Sequence, residues 1–346
     1  MRHYLLCLLV FCLAACETAI EVDVPRYPAQ LTVNGLFNPD SVWRVELTQN
    51  RSILDNAPFA PVPDAEVQVL QNEQTVAVLE HIGESSLSGN SLYRTLDERP
   101  EPGVDYTLEV SHPTLGRLTS GSEIPETQAS ILSAEWDTLD IRDDPELIGG
   151  RLLYGVTIRF DDPQDENYYS VSIIFQQNSV GIQDINKDGL EEFVFKGSRL
   201  GTIGIKSDDP IVDEPFNRIR AELLFKDESF NGSPYELKLY MAQPTRRETG
   251  NVLDLYTKGD VLGEDVYDLQ GNILYKAGEP FAPPNAMYVL LRTTTEEYYN
   301  YHYTRDLQAS VESNPFAQPV QVFDNVEGGL GIFAGYNQVE KKLTFR

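Results

Sequence analysis

The chain has 346 residues, with 54 acidic against 27 basic side chains and a formal net charge of −27. This balance excludes a nucleic-acid-binding protein, because such binding depends on Lys and Arg side chains that neutralise phosphates. The charge favours cationic partners or divalent metals, although the solvated acidic surface of an exported protein accounts for it as well.

The first sixteen residues have the three parts of a lipoprotein signal. Arg2 supplies the positive start, the run from Tyr4 to Leu13 is apolar, and Ala14-Ala15 stand directly before Cys16. The pattern predicts a signal peptide at residues 1–15 and lipidation of Cys16, for instance with palmitate. An ordinary cleaved signal with an accidental cysteine is the alternative. The apolar run is shorter than the roughly 20 residues that span a bilayer, so the acyl chains would be the anchor.

The remaining chain depends on a hydrophobic core for its stability. All three cysteines, Cys7, Cys12 and Cys16, lie in the leader or at its end, so no disulfide forms within the mature chain. We predict a lipidated acidic tether at residues 16–28 and two domains, at residues 29–125 and 126–346.

Residues 29–125 alternate apolar and polar side chains, which is typical of half-buried strands. The inward positions are Leu31 and Val33; Trp43, Val45 and Leu47; Ala65, Val67 and Val69; Val76 and Val78; and Tyr106, Leu108 and Val110. Such strands without a helical period predict a small β-sandwich. The segments Pro63 to Val67 and Pro102 to Tyr106 resemble a prealbumin-type or immunoglobulin-like module.

A larger β region is predicted after a joint at residues 125–130. Its strands centre on Leu152 to Phe160, Tyr169 to Phe175, Tyr235 to Met241 and Met287 to Leu291. Further strands are predicted at Val320 to Phe323 and at the C-terminus. The intervening stretches at 176–218 and 242–284 are rich in Gly, Pro and Asp, and we expect them to bear loops.

One amphipathic helix is predicted at about residues 295–312. Thr294 and Glu297 have the spacing of a capping box. Tyr299, Tyr303, Leu307 and Val311 then fall at four-residue intervals and form one apolar stripe, which we expect to be core. Tyr298 and Tyr301 lie off this stripe, and we expect them to be exposed. The fold class is therefore mainly β: an N-terminal sandwich, then a larger β domain with one C-terminal helix.

The C-terminal block carries a specific resemblance. It comprises Tyr298-Tyr299-Asn300-Tyr301, Asn314-Pro315-Phe316, Pro319 and the run from Asn325 to Phe333. It resembles the signature of an outer-membrane lipoprotein family of the Bacteroidota known as domain of unknown function 4249. The resemblance implies an outer-membrane lipoprotein, often encoded beside a TonB-dependent transporter. It supplies no catalytic or binding residue, and Cys16 alone transfers with a role.

One acidic segment matches the first part of the sequence pattern of a calcium-binding loop. Oxygen ligands at Asp184, Asn186 and Asp188, Gly189 at the sixth position, and then Leu190 (through its carbonyl) and Glu192 match its spacing. Position twelve is Phe195, so the usual bidentate Glu is missing. The alternative is a polar hairpin turn between Ile182 and Phe193.

The remaining candidate motifs indicate no catalytic or binding site. The glycines from Gly328 to Gly335 lack the Lys and the setting of a phosphate cradle, and we interpret them as close backbone packing. His302 has no metal-ligating partner at a suitable spacing.

We therefore predict a non-enzymatic accessory or ligand-capture subunit of a TonB-dependent uptake system, lipid-anchored in the outer membrane at the cell surface. A surface hydrolase with an acidic site and a structural or adhesive module are the alternatives.

Overall fold

The fold is mainly β, as predicted. The computed structural model describes residues 28–51, 59–86, 88–138, 152–183, 192–212, 219–242, 287–311, 317–318 and 320–345, and short strand segments at 248–249, 252–255, 260–261, 266–267, 273–276 and 280–281. The predicted signal peptide and Cys16 lie outside the described residues.

The N-terminal part consists of strands β1 (Leu31–Phe37), β2 (Arg44–Gln49), β3 (Glu66–Gln71), β4 (Gln74–Glu84), β5 (Ser91–Arg94), β6 (Tyr106–His112) and β7 (Gly116–Ser122). The next strands are β8 (Ser130–Thr138), β9 (Leu152–Asp161), β10 (Tyr168–Gln183), β11 (Glu192–Ile203), β12 (Ile205–Lys206), β13 (Leu223–Lys226) and β14 (Tyr235–Ala242). The short strands are β15 (Glu248–Thr249), β16 (Val252–Leu255), β17 (Asp260–Val261), β18 (Val266–Tyr267), β19 (Ile273–Tyr275) and β20 (Pro280–Phe281). The C-terminal elements are β21 (Met287–Thr294), α1 (Glu296–Val311), β22 (Val326–Glu327), β23 (Leu330–Lys342) and β24 (Thr344–Phe345).

The first core lies between two sheets, which confirms the predicted β-sandwich. One sheet has the order β23–β1–β2–β5, and the other has the order β3–β6–β7–β22. Strand β4 closes one side, since its first half pairs with β3 and its second half with β5. Trp43 is buried in this core, 4.9 Å from the ring of Phe37 and 4.8 Å from that of Tyr106. Such aromatic packing supplies a large buried apolar area.

The second core also lies between two sheets. Strands β12, β14, β9, β8 and β24 form one sheet in that order, while β10 and β21 lie in the other. Phe160, Tyr169 and Phe225 are fully buried between them. The stretch at 176–218, predicted to bear loops, instead contains the second half of β10 with β11 and β12. Strand pairing satisfies its backbone groups despite its polar composition.

Two predicted elements are corrected by the structure. Val76 and Val78 were expected to face inward, but both are exposed, and Ala77 and Leu79 are buried instead. Pairing of Ala77 with Val69 of β3 sets this orientation, because neighbouring residues of a strand face opposite sides. Residues 320–323 form no strand.

Strand β23 joins the two cores. Its first residues pair in parallel with β1, from Thr32–Leu330 to Phe37–Gly335. Its later residues pair antiparallel with β21, from Tyr336–Thr294 to Lys342–Tyr288. Phe333 and Val326 thereby enter the first core, although they lie in the second predicted domain. The division into domains at residue 125 stays a prediction.

The C-terminal glycines allow this junction to close. Gly331 has φ +118°, and a methyl group on it would overlap the carbonyl oxygen of Val33; one on Gly335 would overlap that of Glu123. The side chain of Asn325 pairs with both the N–H and the carbonyl of Phe333, at 3.1 and 2.8 Å. The interpretation of the glycines as close backbone packing is therefore correct.

Candidate functional site

A cleft opens where the sandwich meets the start of α1. Its volume is about 490 Å³, and it is lined by residues from the ends of β6, β7, β10 and β21 and from the first turn of the helix. Its lining includes the tyrosines Tyr106 and Tyr168 and the acidic residues Asp105, Glu123, Glu166 and Glu297. The cleft therefore combines two aromatic rings with converging carboxylates.

Glu123 in the cleft is surrounded by other acidic side chains. Burial raises the pKa of Glu123, and the nearby charges of Asp105, Glu297 and Glu126 raise it further. Each of these like charges disfavours ionisation of Glu123. A cation placed among them would relieve the repulsion, so the cleft favours a positively charged group.

The N-terminus of α1 forms one wall of the cleft. The predicted cap, Thr294, is wrong by one residue: Thr294 ends β21, and its hydroxyl donates to the carbonyl of Tyr168 at 3.3 Å. Thr295 is the cap, since its hydroxyl oxygen accepts the N–H of Tyr298 at 3.4 Å. Glu296 and Glu297 follow in the first turn, where the helix dipole favours acidic side chains.

Tyrosine rings connect the cleft to the helix. The ring of Tyr168 lies 5.3 Å from that of Tyr299, which stacks on Tyr303 at 5.9 Å. The ammonium of Lys226 lies over the first two rings, 5.4 Å from Tyr168 and 5.0 Å from Tyr299. Attraction between this cation and the ring faces holds β10, β13 and α1 together. The ammonium group of Lys226 therefore contacts the ring faces of Tyr168 and Tyr299.

A buried ionic cluster lies beneath the helix. The carboxylate of Glu222 accepts hydrogen bonds from Arg292 at 3.2 Å, from Tyr298 at 2.9 Å and from the hydroxyl of Ser170. Arg292 also donates to Gln338 at 3.0 Å. The exposed fractions of the Glu222 and Arg292 side chains are only 22% and 23%. Charged groups at such depth require partners of this kind.

Burial opposes ionisation of Glu222, yet the pKa of this carboxyl lies below its usual range. His302 when it is protonated, the charge of Arg292 and the hydroxyl donors favour the carboxylate. His302 lies 3.9 Å from Glu222, and burial lowers its own pKa to about 4 despite this neighbour. The imidazole is therefore neutral near pH 7, and Arg292 is the cation that balances Glu222 there.

This cluster fixes the position of α1 on the sheet. Tyr298, expected to be exposed, is fully buried against Ile332 and Ala334 of β23. Tyr299 is buried as predicted. His302 stacks on Tyr298 at 4.2 Å, and its Nε2 has no hydrogen-bond partner among the described atoms. The helix is thus held by polar as well as apolar groups.

A second pair of buried acids holds the loop before β10. Asp227 accepts hydrogen bonds from the backbone N–H of Asn167 at 2.9 Å and from its side-chain amide at 3.2 Å. Asp162 accepts from the N–H of Gly232 at 2.7 Å and from Tyr169. Burial raises the pKa of both carboxyls. These bonds place the beginning of β10 at the edge of the cleft.

The structure describes only one of the predicted calcium ligands. Asp184, Asn186, Asp188 and Leu190 lie outside the described residues, and Glu192 is described only as the first residue of β11. The flanking residues Ile182 and Phe193 face each other in the antiparallel β10–β11 pair, as the hairpin interpretation requires. Within the described ranges, no group of three or more His, Cys, Asp or Glu residues is arranged to hold a metal ion. Calcium binding by the acidic segment stays a prediction.

Sequence reasoning missed Glu222 and Arg292. They are 70 positions apart, and neither stands in a recognisable motif. In the sequence, His302 is recognisable only as a histidine without a metal-ligating partner at a suitable spacing. Its position one turn after Tyr298 is the one signal that could have placed it on the same helix face.

Comparison with known proteins identifies the family. A family model with the description "Domain of unknown function (DUF4249)" matches residues 17–342. The match covers most of the chain and begins at the residue after Cys16. A search of curated proteins gives no match. The chain belongs to the DUF4249 family, in agreement with the resemblance of its C-terminal block.

Proposed function

We propose that this protein is an outer-membrane lipoprotein of the cell surface that acts as a non-enzymatic accessory or ligand-capture subunit of a TonB-dependent uptake system. Acyl chains on Cys16 would be its anchor. The observation that carries the proposal is the position of Cys16: it ends a lipoprotein-type leader and stands directly before the region shared with the family.

No helix in the described part of the chain is long and apolar enough to cross a membrane. One further observation supports the proposal. The cleft beside α1 offers a place for capture, and its carboxylates favour a ligand with a positive group. An anchored subunit also needs less intrinsic affinity for a membrane partner, because the anchor raises its effective concentration.

The test compares the wild-type protein with Cys16→Ala in the native host. We expect the wild type in the outer-membrane fraction with incorporated labelled palmitate, and the variant in the soluble fraction without label. A Cys7→Ala variant is the matched control, because it removes a leader cysteine and leaves Cys16 intact. If Cys16→Ala still sediments with membranes in high salt, the anchor assignment is wrong.

A surface hydrolase is the second candidate, and the cleft favours it specifically. Glu123 has a raised pKa and lies among other carboxylates in a cleft that Tyr106 and Tyr168 also line. A raised pKa is the property expected of a carboxyl that acts as a general acid. Fluorogenic glycosides would test this activity. Hydrolysis that Glu123→Gln reduces about 100-fold and Glu73→Gln, at an exposed glutamate of the turn between β3 and β4, leaves unchanged would establish the second candidate in place of the first.

A further inference from the structure

Among the described residues, the cleft beside α1 is lined by acidic side chains and by no basic one. The acidic residues of the lining are Asp105, Glu123, Glu166, Glu296 and Glu297. None of the five forms a salt bridge with a described residue. The cleft therefore contains several carboxylates that a positively charged ligand could pair with.

These carboxylates are not gathered around one point. No three His, Cys, Asp or Glu side chains of the described ranges are close enough together to hold a metal ion. The charges of Asp105 and Glu297 nevertheless act on Glu123. A divalent cation binds several oxygen ligands at once, so it matches this arrangement poorly. A ligand with two or more separated positive groups matches it better.

The side chain of Asn167 provides a fixed hydrogen-bond acceptor at the same cleft. Asn167 belongs to the lining but is only 4% exposed. Its amide nitrogen donates to the backbone oxygens of Asp165 at 2.8 Å and Pro163 at 3.4 Å, and to the carboxylate of Asp227 at 3.2 Å. These bonds orient the amide, and its oxygen accepts no hydrogen bond from a described residue. A buried acceptor of this kind requires a donor, which indicates a ligand with N–H groups.

Apolar surface lies beside these polar groups. The rings of Tyr106 and Tyr168 and the side chain of Pro125 belong to the same lining. Methylene groups of a ligand can pack on such surface while its charged groups reach the carboxylates. The volume of about 490 Å³ is within the range of small-molecule sites, about 300–1,000 Å³.

We propose that this cleft binds a linear polyamine, a small molecule with two or more ammonium groups on an aliphatic chain. The ammonium groups would pair with Glu123 and Glu297, and one of them would donate a hydrogen bond to the side-chain oxygen of Asn167. The methylenes would lie on Tyr106 and Tyr168. The inference names a ligand class for the capture subunit of the proposed function and rests on it.

A lysine-rich peptide has the same ammonium chemistry but fits the cleft less well. Its backbone oxygens would face carboxylates, which accept hydrogen bonds and have none to donate when ionised.

The experiment measures ligand binding to the full-length lipoprotein in mild detergent by isothermal titration calorimetry. The salt concentration is about 150 mM, at which charges more than about 8 Å apart are largely screened. The probes are linear diamines with chains of four to eight methylenes, hexylamine with its single ammonium group, and hexamethonium, which has two quaternary charges and no N–H group. We expect the best diamine to bind about tenfold more tightly than either hexylamine or hexamethonium. The proposal is overturned if no diamine exceeds hexylamine, or if hexamethonium binds as tightly as the best diamine.

Variants locate the site. Glu123→Gln and Glu297→Gln should each weaken binding of the best diamine about fivefold, because each removes one charge and keeps the shape of the side chain. Glu73→Gln is the matched control, since it removes the same charge from the exposed turn between β3 and β4. An equal effect of Glu73→Gln would show that the net charge alone attracts the amine, and the proposal would fail.

Two further outcomes are informative. Tighter binding of a trilysine peptide than of every diamine would overturn the proposal in favour of a peptide ligand. The assay uses purified protein and measures neither lipidation nor transport. Its failure therefore leaves the anchor on Cys16 and the membrane partner to their own tests, and a failure of those tests leaves diamine binding in place.

Discussion

Gly331→Ala provides the sharpest test of the junction between the two cores. Alanine at φ +118° is strained by about 1–3 kcal/mol, because side chains clash with the backbone in this region. Its methyl group would also overlap the backbone oxygen of Val33, which can move only if β1 shifts. Overpacking of this kind costs a further 1–3 kcal/mol, so we expect a total loss of about 4 kcal/mol.

Gly116→Ala is the matched control. Gly116 has φ +87°, but no atom lies within 4 Å of the position that its methyl group would occupy. This variant should therefore lose only the free energy of unfolding that corresponds to backbone strain, about 1–2 kcal/mol. Urea unfolding, followed by circular dichroism and tryptophan fluorescence, gives the free energy of each variant. Equal losses for Gly331→Ala and Gly116→Ala would refute the argument that close approach of β1 requires the glycine.

Three further predictions concern the buried cluster and the acidic segment. His302 has an ordinary pKa of 6.5 in the unfolded chain and a pKa of about 4 in the folded protein. Its contribution to the free energy of unfolding should therefore decline by about 3 kcal/mol as the pH falls from 6.5 to 4. His302→Phe should remove this pH dependence from unfolding curves measured between these two pH values. Arg292→Met should reduce the free energy of unfolding in urea by about 3–5 kcal/mol, because Glu222 loses its cation. Calcium should raise the melting temperature in calorimetry, and the double variant Asp184→Ala, Asp188→Ala should abolish the rise.

Each of these predictions has a contradicting result. The histidine account fails if His302→Phe leaves the pH slope unchanged, since the slope would then come from another titrating group, such as the carboxyl of Glu222 at 3.9 Å from the imidazole. A loss below about 1 kcal/mol in Arg292→Met would mean that the pair is screened like a surface salt bridge. An unchanged calcium response in the double variant would place the ion elsewhere on the acidic surface.

The sequence predicted strands well where one face is buried throughout. Period-two alternation located β1, β2, β3, β6, β9 and β14, because each places every second side chain in a core. It failed at β4, where apolar residues occur on both faces and pairing with β3 selects Ala77 and Leu79. Local pattern contains no information about which neighbour a strand will pair with.

Prediction of the helix from local sequence patterns is limited in the same way. Its existence and length followed from the tyrosine stripe, but its buried face is centred on Tyr298 and His302. The ionic partners on β21 and before β13 determine that face, and no local pattern reveals partners 70 positions apart in the chain. The distinctive C-terminal block is largely explained by packing: Gly331 and Asn325 serve the junction of β1 and β23.

A pull-down in mild detergent tests the proposed function most directly. The wild-type lipoprotein is the bait, and the Cys16→Ala form is run beside it. The account predicts that a TonB-dependent outer-membrane barrel is recovered in near-equal amount with the wild type and is depleted with the variant, and that nutrient uptake falls in a deletion strain. Recovery of no outer-membrane transporter, together with unchanged uptake in the deletion strain, would contradict it.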